Sequence, residues 1–231
     1  MMNSKFCLAL LLLGIIYCDA DYFNTYDYLE LASRWPDTYC LTHEGTCRDK
    51  VPQNFTISYI RPKKRGGPDL ENCPTAYPLL NSTIEANKND LLKFWPDLTT
   101  DNFQESKAMW NDQWKMYGSC FNMRPDEFIQ YALNSRKRSD IKKILARAGI
   151  VPNGLQYPPR RILQVFKKAL GVNVDIVCEE DRSGNIYLAE VHECVDYYGT
   201  TPIDCYNKAR GCDDYPIYPN MGFVSPNKDP K

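Results

Sequence analysis

The sequence predicts an α+β domain with a central antiparallel sheet, packed helices and four disulfides. Three observations point there. Runs of alternating apolar and polar residues lie towards both ends of the chain, apolar residues at helical spacing occupy its middle, and the cysteines left after an N-terminal leader are even in number.

Lys5, the apolar run FCLALLLLGII and a small-residue ending at Ala20 follow the order of a secretory signal peptide, residues 1–20. The mature chain is expected to start near Asp21 and to form a single domain over 21–231, since 43% hydrophobic residues suffice for one core. The run is shorter than the roughly 18 to 20 apolar residues of a membrane span. No membrane attachment is expected once the leader is removed, and the destination is the secretory pathway, extracellular or vacuolar.

The first mature segment, YDYLELASRWPDTYC, reads as a strand closed by a Trp35–Pro36 turn, and NFTISYI as its neighbour. Ile141, Ile144, Leu145 and Ala148 then repeat at helical spacing behind the cap Ser139–Asp140, with Gly149 as the stop. Ile162, Val165, Phe166 and Ala169 do the same between Pro158–Pro159 and Gly171, and both stripes read as core. VNVDIVC and NIYLAEVHECV, around the turn RSGN, bring back strands. The Pro- and Asn-containing tail from Tyr215 to Lys231 is expected to wrap the surface.

Of ten cysteines, Cys7 and Cys18 fall in the leader, which leaves eight in an exported chain. Sequence order suggests Cys40–Cys47, Cys73–Cys120, and Cys194–Cys205 nested within Cys178–Cys212. No CxxC pair occurs, so neither a zinc site nor any other metal or cofactor is expected. Asn54 and Asn81 each open an N-glycosylation sequon. A net charge of -1 argues against a general nucleic-acid binder, which carries a basic excess. The clusters Lys63–Lys64–Arg65 and Arg136–Lys137–Arg138 read as solvated surface.

The segment AMWNDQWKMYGSC, residues 108–120, has the framework of an active site without a histidine. Together with RWPDTYC, FTISYIRP, FWPDL, ARAGIVPNG and LAEVHECVD, it resembles the ribonuclease T2 family, most closely its plant S-like and S-RNase branch, over nearly the whole mature chain. The cysteine spacings are also similar to that branch, whose bridges match the pairing above. The resemblance implies RNA cleavage by attack of the ribose 2'-hydroxyl on its own phosphate. Such chemistry needs proton-transfer groups that titrate near the working pH, and charge aimed at the phosphorane.

The family supplies a histidine in its first motif and His, Glu, Lys and His in its second. In this chain those positions hold Ser58, Asp112, Gln113, Met116 and Tyr117. Two further changes fall in the groove: Tyr59 stands for a glycine and Arg61 for the tryptophan that helps wall the base pocket. The two histidines of the chain read as a loop residue, His43, and a half-buried strand residue, His192, far in sequence from both motifs. These substitutions predict an inactive homologue, a pseudoenzyme, most similar to ribonuclease-related storage glycoproteins of plants. The alternatives are a secreted recognition module for a protein or nucleotide, with weak nucleotide or RNA binding near Arg61, and an altered hydrolase using Asp112 with Tyr117. No other partner is expected.

Overall fold

The computed structural model describes residues 25–43, 46–206 and 210–219, together with two short strands, β1 (Cys7–Ala9) and β2 (Ile16–Cys18), that pair with each other. The rest of the leader and the tail beyond residue 219 lie outside the described residues. Among these residues no helix is long and apolar enough to cross a membrane.

Strands β3 (Tyr28–Arg34), β4 (Thr56–Lys63), β5 (Asp175–Glu180) and β6 (Ile186–Asp196) form an antiparallel sheet in the order β4-β3-β6-β5, and β7 (Pro202–Ile203) pairs with β6. The expected α+β architecture is thus present. Between the outer pairs of strands run α2 (Asn81–Ala86), α3 (Lys88–Phe94), α4 (Phe103–Met116), α5 (Pro125–Arg138), α6 (Ile141–Arg147) and α7 (Pro159–Leu170). Asp140 caps α6 by accepting from the Lys143 amide, and Gly171 ends α7 in the left-handed conformation.

Two apolar clusters flank the sheet. One gathers Leu29, Leu31, Ile60, Trp110, Trp114 and Phe128, and the other Trp35, Phe55, Leu145, Phe166, Ile176 and Val191. Disulfides close Cys40–Cys47, Cys73–Cys120, Cys178–Cys212 and Cys194–Cys205. The second of these ties the loop after β4 to the 3-10 turn Gly118–Cys120 at the end of α4.

Four expectations need correction. The first segment does not remain extended to Cys40: Pro36, its φ preset for a helix start, opens α1 (Pro36–Thr42), and Thr38 donates to the Leu188 carbonyl at 2.7 Å. Arg136 is not solvated but buried, donating to the carbonyls of Phe55 and Ser139, the last residues of loop and helix that would otherwise be unsatisfied. Lys63 is likewise buried, paired with Asp69. Within the tail, Tyr218 is a core residue, its ring 4.9 Å from that of Trp35.

Gly118 marks the tightest packing. A Cβ there would overlap the Trp114 indole and press on Phe128, both of them buried. Gly118→Ala is therefore expected to lower stability by about 1–3 kcal/mol, measured as a reduced midpoint in urea denaturation, while Gly154→Ala, which meets no neighbour but has a positive φ, tests the backbone cost alone.

Candidate functional site

The site is built on one face of β3, β4 and β6, closed by the end of α4. Alternation along the strands sends Glu30 and Arg34 of β3, and Glu190 and His192 of β6, to the same face, since Glu30 pairs with Arg61, Ala32 with Tyr59 and His192, and Arg34 with Glu190. Ser33 pairs with Ile57, so Ser58 is the extra residue of a β-bulge. Bulges re-aim a side chain. Here the bulge brings Ser58 Oγ to 2.7 Å from Arg34 Nη2, which donates to it.

Helix α4 is held by its tryptophans, Trp110 Nε1 donating to the Trp95 carbonyl and Trp114 Nε1 to the Tyr77 carbonyl, each at 2.9 Å. That anchoring places Tyr117, at its C-cap, with its ring 5.5 Å from that of Tyr59. Of the five motif positions, Ser58 and Tyr117 thus reach the strand face. Asp112 is exposed and lies 3.9 Å from Lys115, and Met116 is exposed. Gln113 turns its Oε1 into the protein, where that atom has no hydrogen-bond partner among the described residues.

The densest chemistry lies around a residue that sequence distance had set apart from both motifs. His192 is fully buried rather than half-buried, and the fold brings it beside the first motif, edge-on to the Tyr59 ring at 5.7 Å. Its Nε2 sits 2.8 Å from Glu190 Oε2; its Nδ1 lies 3.6 Å from Glu30 Oε1 and 2.9 Å from Arg210 Nη2. An arginine only donates, so the Arg210 contact is one in which Nδ1 of the neutral ring accepts and Nε2 donates to Glu190. Burial disfavours the charged imidazole, but the two carboxylates outweigh it and raise the pKa. Burial also opposes ionisation of Glu30 and Glu190, yet His192, with Arg61 beside Glu30 and Arg34 beside Glu190, holds both near about 2.

Arg61 is committed to this network. Its Nη2 lies 2.8 Å from Glu30 and its Nη1 3.0 Å from Asp69, and the guanidinium stacks over Tyr59 at 4.7 Å. Arg34 is the more accessible guanidinium, 30% exposed, and is only loosely paired with Glu190 at 3.4 Å. Tyr59 and Tyr117 both have raised pKa values, from burial first and then from neighbouring carboxylates, Glu30 for the one and Glu71 for the other, so both hydroxyls keep their protons. The second histidine, His43, stacks on Tyr39 at the end of α1. No cluster of three or more His, Cys, Asp or Glu that could hold a metal ion is present among the described residues.

Sequence reading missed Glu30, Arg34 and Glu190 as site residues. A signal existed: Glu30 and Arg34 in β3, and Glu190 and His192 in β6, stand an even number of positions apart, which places each pair on one face.

An antiparallel sheet braced by four disulfides, with a charged strand face under an aromatic lid, defines a disulfide-stabilised domain of the ribonuclease type. The chain belongs to the Ribonuclease T2 family, whose profile matches residues 26–205, and stands with its plant S-like branch. It is 29% identical to Ribonuclease 1 of Arabidopsis thaliana over 85% of this chain and 87% of that protein. It is also 29% identical to Extracellular ribonuclease LE of Solanum lycopersicum, over 88% and 91%. Among solved structures, RNase NT in complex with 5'-AMP superposes with a TM-score of 0.75 at 28% identity, covering 84% of this chain and 98% of that one.

These relatives correct the expectation that the chain is not an enzyme: they are named ribonucleases, and one was solved with a nucleotide bound. The expectation rested on the replaced acid-base groups and on the lysine position held by Met116. Loss of such groups lowers a rate without removing the share that comes from binding and charge stabilisation.

The buried cluster has a defined pH signature. A raised His192 contributes stability that is complete below its unfolded pKa of 6.5 and is lost as pH rises through the folded value. The depressed Glu30 and Glu190 contribute above 4.5 and lose that contribution as pH falls towards about 2. The urea midpoint is therefore expected to peak between pH 4.5 and 6.5. His192→Gln should flatten the alkaline limb, and an NMR titration of the imidazole should place its pKa above 6.5.

Proposed function

We propose that this chain is a slow ribonuclease of the secretory pathway, extracellular or vacuolar, that holds the RNA phosphate at Arg34 and transfers protons without histidine. The observation that carries this reading is the accessible Arg34 guanidinium, fixed 2.7 Å from Ser58 at the bulge where the family's first-motif histidine falls. A planar, permanently charged fork suits phosphate oxygens, and its charge counts most as the phosphorane forms. Tyr117, kept protonated, supplies a hydrogen bond to the same group. Asp112, exposed and beside Lys115, does not reach this face, so the 2'-hydroxyl proton passes to water. Each histidine replaced costs about 10²- to 10⁴-fold in rate, so turnover is low by family standards.

Storage is a second reading, favoured by a body closed by four disulfides and by the exposed sequon residues Asn54 and Asn81, which would make it a protease-resistant glycoprotein. It does not depend on whether the chain cleaves RNA, and a steep fall of the protein during sprouting would support it. A recognition role near Arg61 is less favoured, because Glu30 and Asp69 already neutralise that guanidinium.

The purified mature protein, assayed on RNA from about pH 4 to 8, should cleave above a mock-purified control. Arg34→Gln should lower kcat/KM by at least about tenfold, as loss of a charged phosphate contact does. The combined variant Ser58→His, Asp112→His, Gln113→Glu, Met116→Lys and Tyr117→His should raise the rate. Cleavage no greater than the control would overturn the proposal.

A further inference from the structure

On the sheet face opposite the charged one, beneath α5, lies a cavity of about 150 Å³. Its floor is set by strand register: Leu29 pairs with Val195 and Leu31 with Glu193 across β3 and β6, and Ile60 pairs with Leu31 from β4. Four of these five floor positions are aliphatic, and the fifth is the carboxylate Glu193. Ser135 and Arg138 of α5 stand over it.

Glu193 is the group this arrangement leaves unfinished. Burial raises its pKa, against the nearby Ser139 hydroxyl, which is itself without a hydrogen-bond partner among the described residues, and the charges of Arg136 and Arg138. Its Oε2 is buried and has no hydrogen-bond partner among the described residues. Neither arginine supplies one: Arg138 Nη2 donates to Ser135 Oγ at 2.7 Å, and Arg136 donates to the carbonyls of Phe55 and Ser139. A buried acceptor without a donor is unfavourable, and a donor brought in by a ligand relieves it.

Size narrows the occupant. An apolar cavity of about 150 Å³ takes a single aromatic ring, and a nucleotide is too large. A cation is disfavoured by Arg136 and Arg138 nearby. We propose that this cavity is a binding site for a neutral single-ring aromatic molecule with one hydrogen-bond donor, the ring lying on Leu29, Leu31 and Ile60 and the donor meeting Glu193 Oε2. The site is separate from the charged face, so it stands or falls independently of the RNA reading.

The test uses the full mature protein with phenol and toluene as probes, by titration calorimetry and by amide NMR. Phenol should bind saturably and about tenfold more tightly than toluene, the increment of one buried hydrogen bond, and Glu193→Leu should remove that preference. In the unaltered protein, phenol should shift the amides of Leu31, Glu193 and Ser135 and leave those of Arg34, Ser58 and Tyr117 in place, a readout that needs no variant to fold. No saturable phenol binding, equal affinity for the two probes, or shifts confined to the Arg34 face would each overturn the proposal.

Discussion

The period-two alternation of β3 and β6 is the constraint on which the rest of the structure depends. Successive residues of these strands must satisfy opposite environments: Glu30, Glu190 and His192 face a network of guanidinium groups, and Leu29, Leu31, Val191 and Val195 face apolar clusters. A slip of one residue would drive three ionisable groups against the apolar clusters and set the leucines against the buried guanidinium network. The register is therefore held from both sides, by burial on one face and by ion pairing on the other. The alternation is broken by a bulge at Ser58 in β4 and again at Ala189 in β6, where β5 pairs Val177 with Glu190 and Cys178 with Leu188.

Much of the fold was legible because its signals are local. Alternation in NFTISYI and LAEVHECV, the Asp140 cap and the Gly171 stop are each written within a few residues, and β4, β6, α6 and α7 form there. What was not legible depends on distant partners. Arg136 looks solvated in its basic run, and only the meeting of α5 with the start of β4 gives it the Phe55 carbonyl. His192 looks remote from the first motif, yet strand order puts β6 beside β3 and so places the imidazole under Tyr59. The five motif positions rest on resemblance alone. That Ser58 and Tyr117 reach the strand face while Asp112 and Met116 remain exposed could not be read from it.

The chemistry of the cleft follows from where charge is spent. Arg61 and Lys63 are taken up by Glu30 and Asp69, and the imidazole is locked inside the sheet wall between two carboxylates. The tyrosine hydroxyls are held protonated, which suits them to donate hydrogen bonds rather than to accept protons. What remains on this face is one accessible guanidinium, Arg34, beside tyrosines that keep their protons.

The buried Arg136 also bears on how the outside of the molecule is decorated. Asn54 Oδ1 accepts from the Phe55 amide at 2.8 Å and from Arg136 Nη2 at 3.3 Å. Both bonds engage the carboxamide oxygen and leave its nitrogen, the atom to which an N-linked sugar attaches, out of the pairing. An oligosaccharide joined at Asn54 would therefore be carried by a stem already clamped to the interior at its root, so the sugar would project from the start of β4 in a fixed direction instead of sweeping across the neighbouring surface.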